Sequence, residues 1–429
     1  MSNEIKKIPT AGYRYKVVSG DRITRIANRA YGTQEKASLI VDANPYIKGR
    51  PISLENLPTI YPNDILTIPE IIEKGTDISG KEPYEFTLRL EDIEIPVESA
   101  TLLRTMDTAS DACNCTIAWN PGIDKKIDEV TAPYSFSRAK IFLGNTLMLT
   151  GRLYNVTPKK DTSGITKELE IFSNTIDIVD STVSPPYEKN NTTLFERAQQ
   201  LCNPLGIEVE TDLDSDGGAF KRMTADKTET IFEHLLKYAR QKSILISSTP
   251  TGKLLFTRAN TTGESVGSIT LEIPITDEYS AEFNGREIFN MYRAIGQNAR
   301  KFTKKQSIAI DNNVPRSRQL TFDANDSTEG NIQDTAEWRR SKQYTNALTI
   351  PVPIKRSKNY GWLTPNGSLW RENTIMTLIS DILSIPDGFN LLVRSVEYTH
   401  NADGNGINLS VIPPQTYSGE IVETPWSVS

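Results

Sequence analysis

The sequence predicts a mainly β protein with α+β parts, and three patterns carry that prediction. Short strands separated by turn residues follow one another through residues 84–172. Two helices, beginning after Thr193 and Thr230, each open with a Thr-x-x-Glu capping box. Residues 391–411 hold two apolar strands on either side of an Asp-Gly loop, a common hairpin closure. Regular short strands of this kind favour closed or nearly closed antiparallel barrels.

Length and composition limit the number of domains and the class of protein. The 429 residues are enough for two to four domains of roughly 100–200 residues each. With 37% apolar and 24% charged residues, the composition is that of a soluble globular protein. No apolar run reaches the roughly 18 residues that a membrane-spanning helix needs. Residues 1–10 lack the apolar core of a secretory signal, so we expect synthesis in a cytoplasm without export by the general route.

Charge and cysteine content narrow the class further. The formal net charge of −6 argues against tight, nonspecific nucleic-acid binding through a basic surface. Three cysteines are too few for a disulfide scaffold and fit a reducing compartment. Cys113 and Cys115 lack the C-x-x-C spacing of zinc and redox sites. Positions two apart on a strand share a face, so we expect these two sulfurs to pack inward or to rest beside each other.

The two histidines are the first residues to test for catalysis or metal binding. His234 lies beside the apolar stripe of the helix that follows Thr230, and His400 lies at a hairpin end. Neither has partners at metal-ligand spacing, so structural roles are expected for both.

An acidic segment offers a partial calcium motif. Asp212-x-Asp214-x-Asp216-Gly217 matches the opening half of a calcium-binding loop, but Met223 stands where the bidentate glutamate is needed. A solvated acidic turn is therefore the expectation. Phosphate-binding glycine loops are absent from the sequence. We predict no catalytic residue, no metal and no cofactor.

The N-terminal part predicts a strand–helix–helix–strand unit. Ser19-Gly20-Asp21 is a turn, with Asp21 placed to cap a helix over residues 22–30. A second helix is expected over 34–43 and a closing strand over 61–69.

The stretches YKVVSGD (15–21), IA (26–27), YG (31–32), ANP (43–45) and YPNDILTIP (61–69) resemble a LysM domain. LysM domains bind N-acetylglucosamine polymers in a shallow groove. Arg22 stands where the family has a small hydroxyl residue, and the segment 47–59 is longer than in the family. Peptidoglycan binding and a purely protein-binding adaptor role both stay open. The resemblance implies a contact groove formed by Gly20, Asp21, Arg22, Ile23, Thr24, Asn44, Pro45, Tyr46 and Ile47.

Several stretches in chain order resemble the baseplate hub proteins of Mu-like contractile-tailed phages. They are NTIDIVDS (174–181), 193–207, 229–258, GW (361–362), 369–373, 391–398 and 406–414. The resemblance implies a homotrimer whose subunits each carry two tail-tube-like antiparallel barrels. Such a trimer adapts the hexameric tail tube to the trimeric central spike and lets DNA pass through its lumen without specific binding. The expected location is the virion baseplate, after assembly in the host cytoplasm.

The resemblance also implies a division of the chain and its partners. Tail tube and spike proteins are the expected partners, with baseplate wedge proteins bound through the LysM domain. Two alternatives stay open: a peptidoglycan-binding cell-wall hydrolase or adhesin targeted by LysM, and the hub of a tailocin or other contractile injection system. The predicted division is 1–70 LysM domain, 71–83 linker, 84–182 first barrel, 183–267 α+β domain, 268–417 second barrel with an insertion, and 418–429 C-terminal tail.

Overall fold

The computed structural model describes most of the chain, and the predicted linker 71–83 lies outside the described residues. Residues 427–429 of the predicted tail and Gly361 also lie outside them. The described residues are 5–6, 14–31, 34–53, 57–68, 85–162, 164–215, 217–272, 276–298, 303–324, 332–357, 362–364 and 367–426.

The N-terminal unit has three short strands and two helices. The predicted helix pair is confirmed, although a 3₁₀ turn at Gln34–Lys36 precedes the second helix, and the closing strand is present but shorter than predicted. Leu66 and Ile68 both point into the core, as their alternation predicts. The elements are β1 (Ile5–Lys6), β2 (Arg14–Lys16), α1 (Ile23–Tyr31), α2 (Ala37–Ala43) and β3 (Ile65–Thr67).

The next region is built from long antiparallel strands. A tight turn at Glu91 and Asp92, both with positive φ, joins the first two strands. The elements are β4 (Phe86–Leu90), β5 (Ile93–Ile95), β6 (Ser99–Thr105), β7 (Ala112–Ala118), α3 (Lys125–Val130), β8 (Arg138–Leu143), β9 (Thr146–Lys160), β10 (Ile165–Ser173) and α4 (Ile176–Asp180).

The middle region is a small α+β unit around its own apolar core. The capping boxes at Thr193 and Thr230 are both confirmed: each hydroxyl accepts from the backbone N–H three residues on, and each glutamate accepts in return. The elements are β11 (Glu188–Thr192), α5 (Leu194–Cys202), β12 (Val209–Thr211), β13 (Phe220–Thr224), α6 (Ile231–Ala239), β14 (Leu245–Ser248) and β15 (Leu254–Thr257).

The predicted hairpin of this unit is also confirmed. Strands β14 and β15 pair antiparallel across a turn in which the Gly252 N–H donates to the Thr249 carbonyl (2.9 Å). Gly252 has a φ of 79°, which an L side chain rarely adopts. Strand β12 adds to β15 in parallel.

The C-terminal region returns to long strands and carries an inserted sheet with α7 packed on it. The inserted sheet has the order β19-β18-β20. The elements are β16 (Ser265–Thr270), β17 (Glu282–Phe283), β18 (Met291–Asn298), β19 (Thr303–Ile310), β20 (Gln319–Asp323), α7 (Ile332–Lys342), α8 (Tyr344–Ala347), β21 (Leu348–Ser357), β22 (Ile375–Ser380), β23 (Ile385–Asn401) and β24 (Gly404–Ile412).

One sheet joins the two strand-rich regions. Among the described residues its order is β17-β21-β24-β23-β6-β7-β10-β9-β8-β4-β5, with β22 and β16 branching from β23. Strand β23 pairs antiparallel with β6, from Ser395 opposite Thr105 to His400 opposite Ala100. The fold class, mainly β with α+β parts, is confirmed. The strands assigned to two separate barrels share a single hydrogen-bonded sheet and one continuous core.

Candidate functional site

A buried ionic junction ties three regions of the chain together. Arg104 of β6 donates from Nη2 to Glu372 Oε1 (2.7 Å), and its Nη1 lies 3.6 Å from Asp111 Oδ2. The same Asp111 oxygen accepts from the Ser248 hydroxyl of β14 (2.6 Å). The Arg104 and Asp111 side chains are only 4% and 2% exposed. The junction therefore fixes the first strand region, the middle unit and the C-terminal region against one another.

The two carboxylates of this junction titrate differently. Burial raises the pKa of Asp111 to about 6, against the attraction of Arg104. Burial also opposes ionisation of Glu372, but the charge and hydrogen bond of Arg104 outweigh it and lower the Glu372 pKa. Arg104 lies closer to Glu372 than to Asp111, which is consistent with the lower pKa of Glu372. Asp111 is thus the group that takes a proton first.

A second ionic cluster lies at the turn after β6. The Asp107 carboxylate accepts from Lys342 of α7 (3.2 Å), from Arg394 of β23 (3.2 Å) and from the Tyr417 hydroxyl. Burial lowers the pKa of Lys342 to about 8. This cluster ties α7 and the C-terminal segment to the shared sheet.

The histidines occupy structural positions. Buried His234 accepts from Arg197 Nε (3.3 Å), and its Nδ1 lies 3.5 Å from a Glu229 carboxylate oxygen. Burial and the nearby cations lower its pKa to about 3, so the imidazole is neutral. His400 stacks on Phe86 with ring centroids 5.7 Å apart and contacts Asn405 through Nδ1 (2.7 Å). His234 therefore packs inside the middle unit, and His400 packs against the shared sheet.

The cysteine pair confirms the side-by-side packing that its spacing predicts. The sulfurs of Cys113 and Cys115 lie 3.5 Å apart inside the shared core. Burial raises the pKa of the Cys113 thiol well above its ordinary value, which leaves it protonated and unreactive.

The predicted groove residues of the N-terminal unit divide into two groups. Asp21, Arg22 and Ile23 line a cleft of about 270 Å³, whose other wall is formed by Ser53 and residues 57–60. The longer segment thus forms one side of the cleft. Thr24 is half-buried on α1 beside it, and Gly20 occupies the preceding turn with a φ of 89°.

Asn44, Pro45, Tyr46 and Ile47 are not among the lining residues of that cleft. Asn44 is buried and its amide bridges the Ile40 and Thr67 carbonyls (2.7 Å each). Ile47 is buried as well. Tyr46 is exposed and donates to the Ile65 carbonyl (3.0 Å), and Pro45 is exposed. Asn44, Tyr46 and Ile47 therefore contribute to the fold of the unit.

The N-terminal unit docks on the acidic loop of the middle unit. Arg25 Nη1 lies 3.0 Å from Asp214 Oδ2, and Arg25 Nε donates to the Asp212 carbonyl (3.0 Å). Arg22 reaches Asp214 at 4.0 Å. Asn28 and Gln34 donate to the Asp212 carboxylate and the Thr211 carbonyl. Basic and polar side chains of α1 and the turn after it therefore contact one short acidic segment.

The expectation of a solvated acidic turn is wrong for Asp212 and holds in part for Asp214. Asp212 is half-buried, accepts from the Thr257 hydroxyl (2.8 Å) and has its pKa raised by burial. Asp214 is 53% exposed but paired with Arg25. Asp216 lies outside the described residues. Opposite charges on α1 and the loop were visible in the sequence, but nothing there placed them in contact.

A second concave surface lies in the C-terminal region. It is an open cleft of about 460 Å³ lined by polar side chains. The lining residues are Glu282, Asn284, Glu287, Asn346 and Thr349.

Neither a metal site nor a membrane span is found in the part of the chain that the structure describes. Across the described ranges, no group of three or more histidines, cysteines or carboxylates is placed to hold a metal ion. Within those ranges, no helix is both long and apolar enough to cross a membrane.

Two segments match known domain families. Residues 175–258 match the second domain of baseplate hub protein gp44-like proteins. Residues 328–420 match the fourth domain of the Mu phage baseplate assembly protein GpP. The first match covers the middle unit with its two capped helices, and the second covers α7 and the strands up to β24.

Proteins similar to this chain include a phage baseplate hub protein and two tail proteins of known structure. Baseplate hub protein gp44 of Escherichia phage Mu is 24% identical over 255 residues, which is 57% of this chain and 66% of the relative, just under two thirds. A 43 kDa tail protein of prophage MuSo2 from Shewanella oneidensis superposes with a TM-score of 0.65 at 22% identity, covering 78% of this chain and 99% of that one. A tail protein from Neisseria meningitidis MC58 gives 0.66 at 15% identity, covering 78% and 98%.

The two family matches lie in the body of the chain. They support a structural hub role. The chain has the β-rich fold of phage tail proteins, and it carries one segment that matches a domain of gp44-like baseplate hub proteins and one that matches a domain of a Mu phage baseplate assembly protein.

Proposed function

We propose that this chain is the structural hub of a contractile tail, a homotrimer that adapts the hexameric tail tube to the trimeric central spike. The observation that carries the proposal is that two segments match baseplate protein domains in chain order, the first of them a hub domain, on a body with the tail-protein fold. The protein works as a scaffold in the virion baseplate and surrounds part of the DNA conduit.

The internal joints of the body fit such a scaffold. Two strand-rich regions share one sheet through β6 and β23, and the Arg104 junction fixes the middle unit to both. A part that carries load between a tube and a spike needs its regions to move together. Three copies would present six strand regions around one axis, which matches a hexameric tube on one side and a trimeric spike on the other.

Reconstitution tests the hub role. The chain is mixed with the tube protein and the spike protein encoded beside it, and the particles are imaged by electron microscopy. A threefold ring between tube and spike is the expected result. A chain that binds neither protein, or a ring of another symmetry, would contradict the proposal. A neighbouring set of capsid genes distinguishes a phage from a tailocin or other injection system.

The lumen charge gives an independent test of the conduit. The net charge of −6 favours more Asp and Glu than Lys and Arg on the inner wall of the ring, because a basic wall would hold the DNA phosphates. Mapping charged residues on the reconstituted ring checks this expectation, and a basic inner wall would contradict it.

The N-terminal unit acts as a LysM-like adaptor that binds protein. The contact of Arg22 and Arg25 with Asp214 supports this role, since it already applies residues beside the cleft to a protein surface. Baseplate wedge proteins are the proposed partners. Sedimentation with insoluble peptidoglycan is expected to leave the protein in the supernatant, and Arg22→Thr tests whether a small hydroxyl residue restores glycan binding.

Peptidoglycan binding is the second candidate for this unit, and the cleft at Asp21, Arg22 and Ile23 is the observation that favours it. Cosedimentation of the unmodified protein would support it. Zymography on cell walls addresses the related possibility of a LysM-targeted hydrolase or adhesin: clearing by the purified chain would replace the scaffold role with an enzymatic one.

A further inference from the structure

The strand at one end of the shared sheet is unpaired along its outer side. Strand β17 pairs with β21, and among the described residues no strand pairs with its other side. The Asn284 N–H donates to the Ala347 carbonyl (3.0 Å), which lies on the β21 side. Because the backbone groups of successive residues in an antiparallel strand point to opposite sides, those of Phe283 point away from β21. An unpaired edge of this kind can accept an added strand from another chain.

One face of β17 is apolar and exposed. The Phe283 ring meets the Trp426 ring edge-on, with centroids 4.8 Å apart. The Trp426 indole donates to the Leu383 carbonyl (2.8 Å), which brings Trp426 to the segment that carries Ile382. The three apolar side chains, called the terminal patch, are Phe283 (46% exposed), Trp426 (37%) and Ile382 (73%). Exposed aromatic side chains in contact with one another are a feature of protein-binding surfaces.

The opposite face of β17 is polar. Successive side chains of a strand point to opposite faces, so Glu282 lies on the face that Phe283 does not occupy. Glu282 lines the open cleft of about 460 Å³, and so does Thr349, which is its partner in the pairing of β17 with β21. The cleft therefore lies on the Glu282 face. Its described lining residues are two glutamates, two asparagines and a threonine, with no cation among them.

The three segments that carry the terminal patch are acidic. They are residues 276–287, 380–387 and 418–426. Seven carboxylates on them are exposed, and an eighth, that of Glu287, is half-buried. Arg286 is the one basic residue on these segments, and its side chain is exposed.

Charged side chains that reach these segments from neighbouring elements leave the balance acidic. Arg318 donates to the Gly285 carbonyl (2.7 Å), and Arg340 donates to the Gly419 carbonyl (2.8 Å). The Glu272 carboxylate accepts from the Ile382 N–H (3.4 Å). With these three groups included, nine carboxylates stand against three guanidinium groups. The surface is therefore negative at neutral pH and attracts a basic partner.

We infer that β17 binds an extended segment of another protein in which basic residues alternate with apolar ones. An added strand of this pattern places its apolar side chains on the terminal patch and its lysine or arginine side chains toward Glu282 and the cleft. An acidic segment is repelled, and a basic segment without alternation matches only one of the two faces. The inference goes beyond the proposed hub role and does not depend on it.

Peptide binding to the full-length chain tests the inference. The probe is an acetylated nonapeptide in which lysine alternates with valine and phenylalanine, and isothermal titration calorimetry follows its binding. Saturable binding is expected. A peptide with glutamate in place of lysine loses the charge attraction, and a peptide with methyl groups on its central amide nitrogens loses the backbone pairing. Each is expected to bind about tenfold more weakly than the probe.

Substitutions at exposed side chains locate the bound peptide on the chain. Glu282→Lys reverses a charge on the polar face and is expected to raise the dissociation constant of the probe about tenfold. Ile382→Ser removes an apolar contact on the other face and is expected to raise it about fivefold. Glu129→Lys and Ile123→Ser, at an exposed carboxylate and an exposed apolar residue near α3, are the matched controls. Both controls are expected to leave the dissociation constant within about twofold.

Two results would overturn the inference. A probe that does not bind, or that binds equally well to the wild type and to a Glu282→Lys variant whose circular dichroism shows it folded, excludes this kind of partner. Self-association of the chain that Glu282→Lys and Ile382→Ser abolish, measured by light scattering, assigns the surface to a second copy instead. Reconstitution with the tube and spike proteins decides the hub role separately in either case.

Discussion

Two arginine–aspartate contacts link distant parts of this chain, and they differ in almost every physical respect. Arg104 and Asp111 are 4% and 2% exposed and share Glu372 and Ser248 as further partners. Arg25 and Asp214 are 21% and 53% exposed and meet at the boundary of the N-terminal unit. Buried charges that lose a partner destabilise strongly, whereas exposed pairs contribute little. The Arg104–Asp111 contact therefore holds the regions of the body together tightly, whereas the Arg25–Asp214 contact holds the N-terminal unit only weakly.

Removing the buried arginine should have the largest effect. Arg104→Met leaves Asp111 and Glu372 as two adjacent buried carboxylates, so we expect a loss of about 3–5 kcal/mol in the free energy of unfolding. Urea denaturation followed by fluorescence measures it. The control is Lys159→Met at an exposed pair with Glu168, where the expected loss is below about 1 kcal/mol. Equal losses in the free energy of unfolding of the two variants would contradict the expected difference between the buried and the exposed pair.

The pH dependence of Asp111 should give an intermediate effect. Its pKa is about 6 in the folded protein and near the ordinary 3.8 when unfolded, so the folded state binds the proton more readily. Stability from this group therefore rises as pH falls from about 6 toward 4, by at most about 1.4 kcal/mol per pH unit. Asp111→Asn should abolish that rise.

Denaturation of wild type and Asp111→Asn at about pH 7 and about pH 5 checks this sign. Glu372 stays ionised across that window because Arg104 outweighs the effect of burial and lowers its pKa. Exposed Asp381→Asn serves as the control. If the free energy of unfolding of the wild type relative to Asp111→Asn falls rather than rises on acidification, Asp111 is not the titrating group.

The exposed contact should give the smallest energetic effect and the clearest change in motion. Arg25→Glu places like charges together at Asp214, so we expect residues 211–215 to exchange amide hydrogens faster while the body keeps its stability within about 0.5 kcal/mol. Adding Asp214→Arg should restore slow exchange, and added salt should mimic Arg25→Glu. Lys16→Glu, at an exposed residue of β2, is the control.

The sequence predicted best what is local. The Thr193 and Thr230 capping boxes, the turn at Gly252 and the facing sulfurs of Cys113 and Cys115 depend on residues within a few positions of one another. Hairpin strands were also predicted, although β23 and β24 extend closer to their turn than their apolar residues indicated.

Contacts between distant segments could not be predicted. Pairing of β6 with β23 and the bond from Arg104 to Glu372 join residues whose proximity leaves no spacing pattern in one sequence. Asn44 and Ile47 of the predicted groove are buried, because a family pattern does not distinguish residues that hold a turn from residues that line a cleft; the groove itself stays a prediction. The contact between α1 and the acidic loop could not be predicted either, because its residues are far apart in the sequence.

The seam between β6 and β23 has a consequence for synthesis of the chain. Until residues 395–400 leave the ribosome, the backbone N–H and C=O groups along one margin of β6 have no partner strand. An unprotected strand margin invites pairing with other chains. A fragment truncated at residue 182 would keep that margin bare permanently, so we expect it to aggregate unless a peptide corresponding to 395–400 is supplied with it.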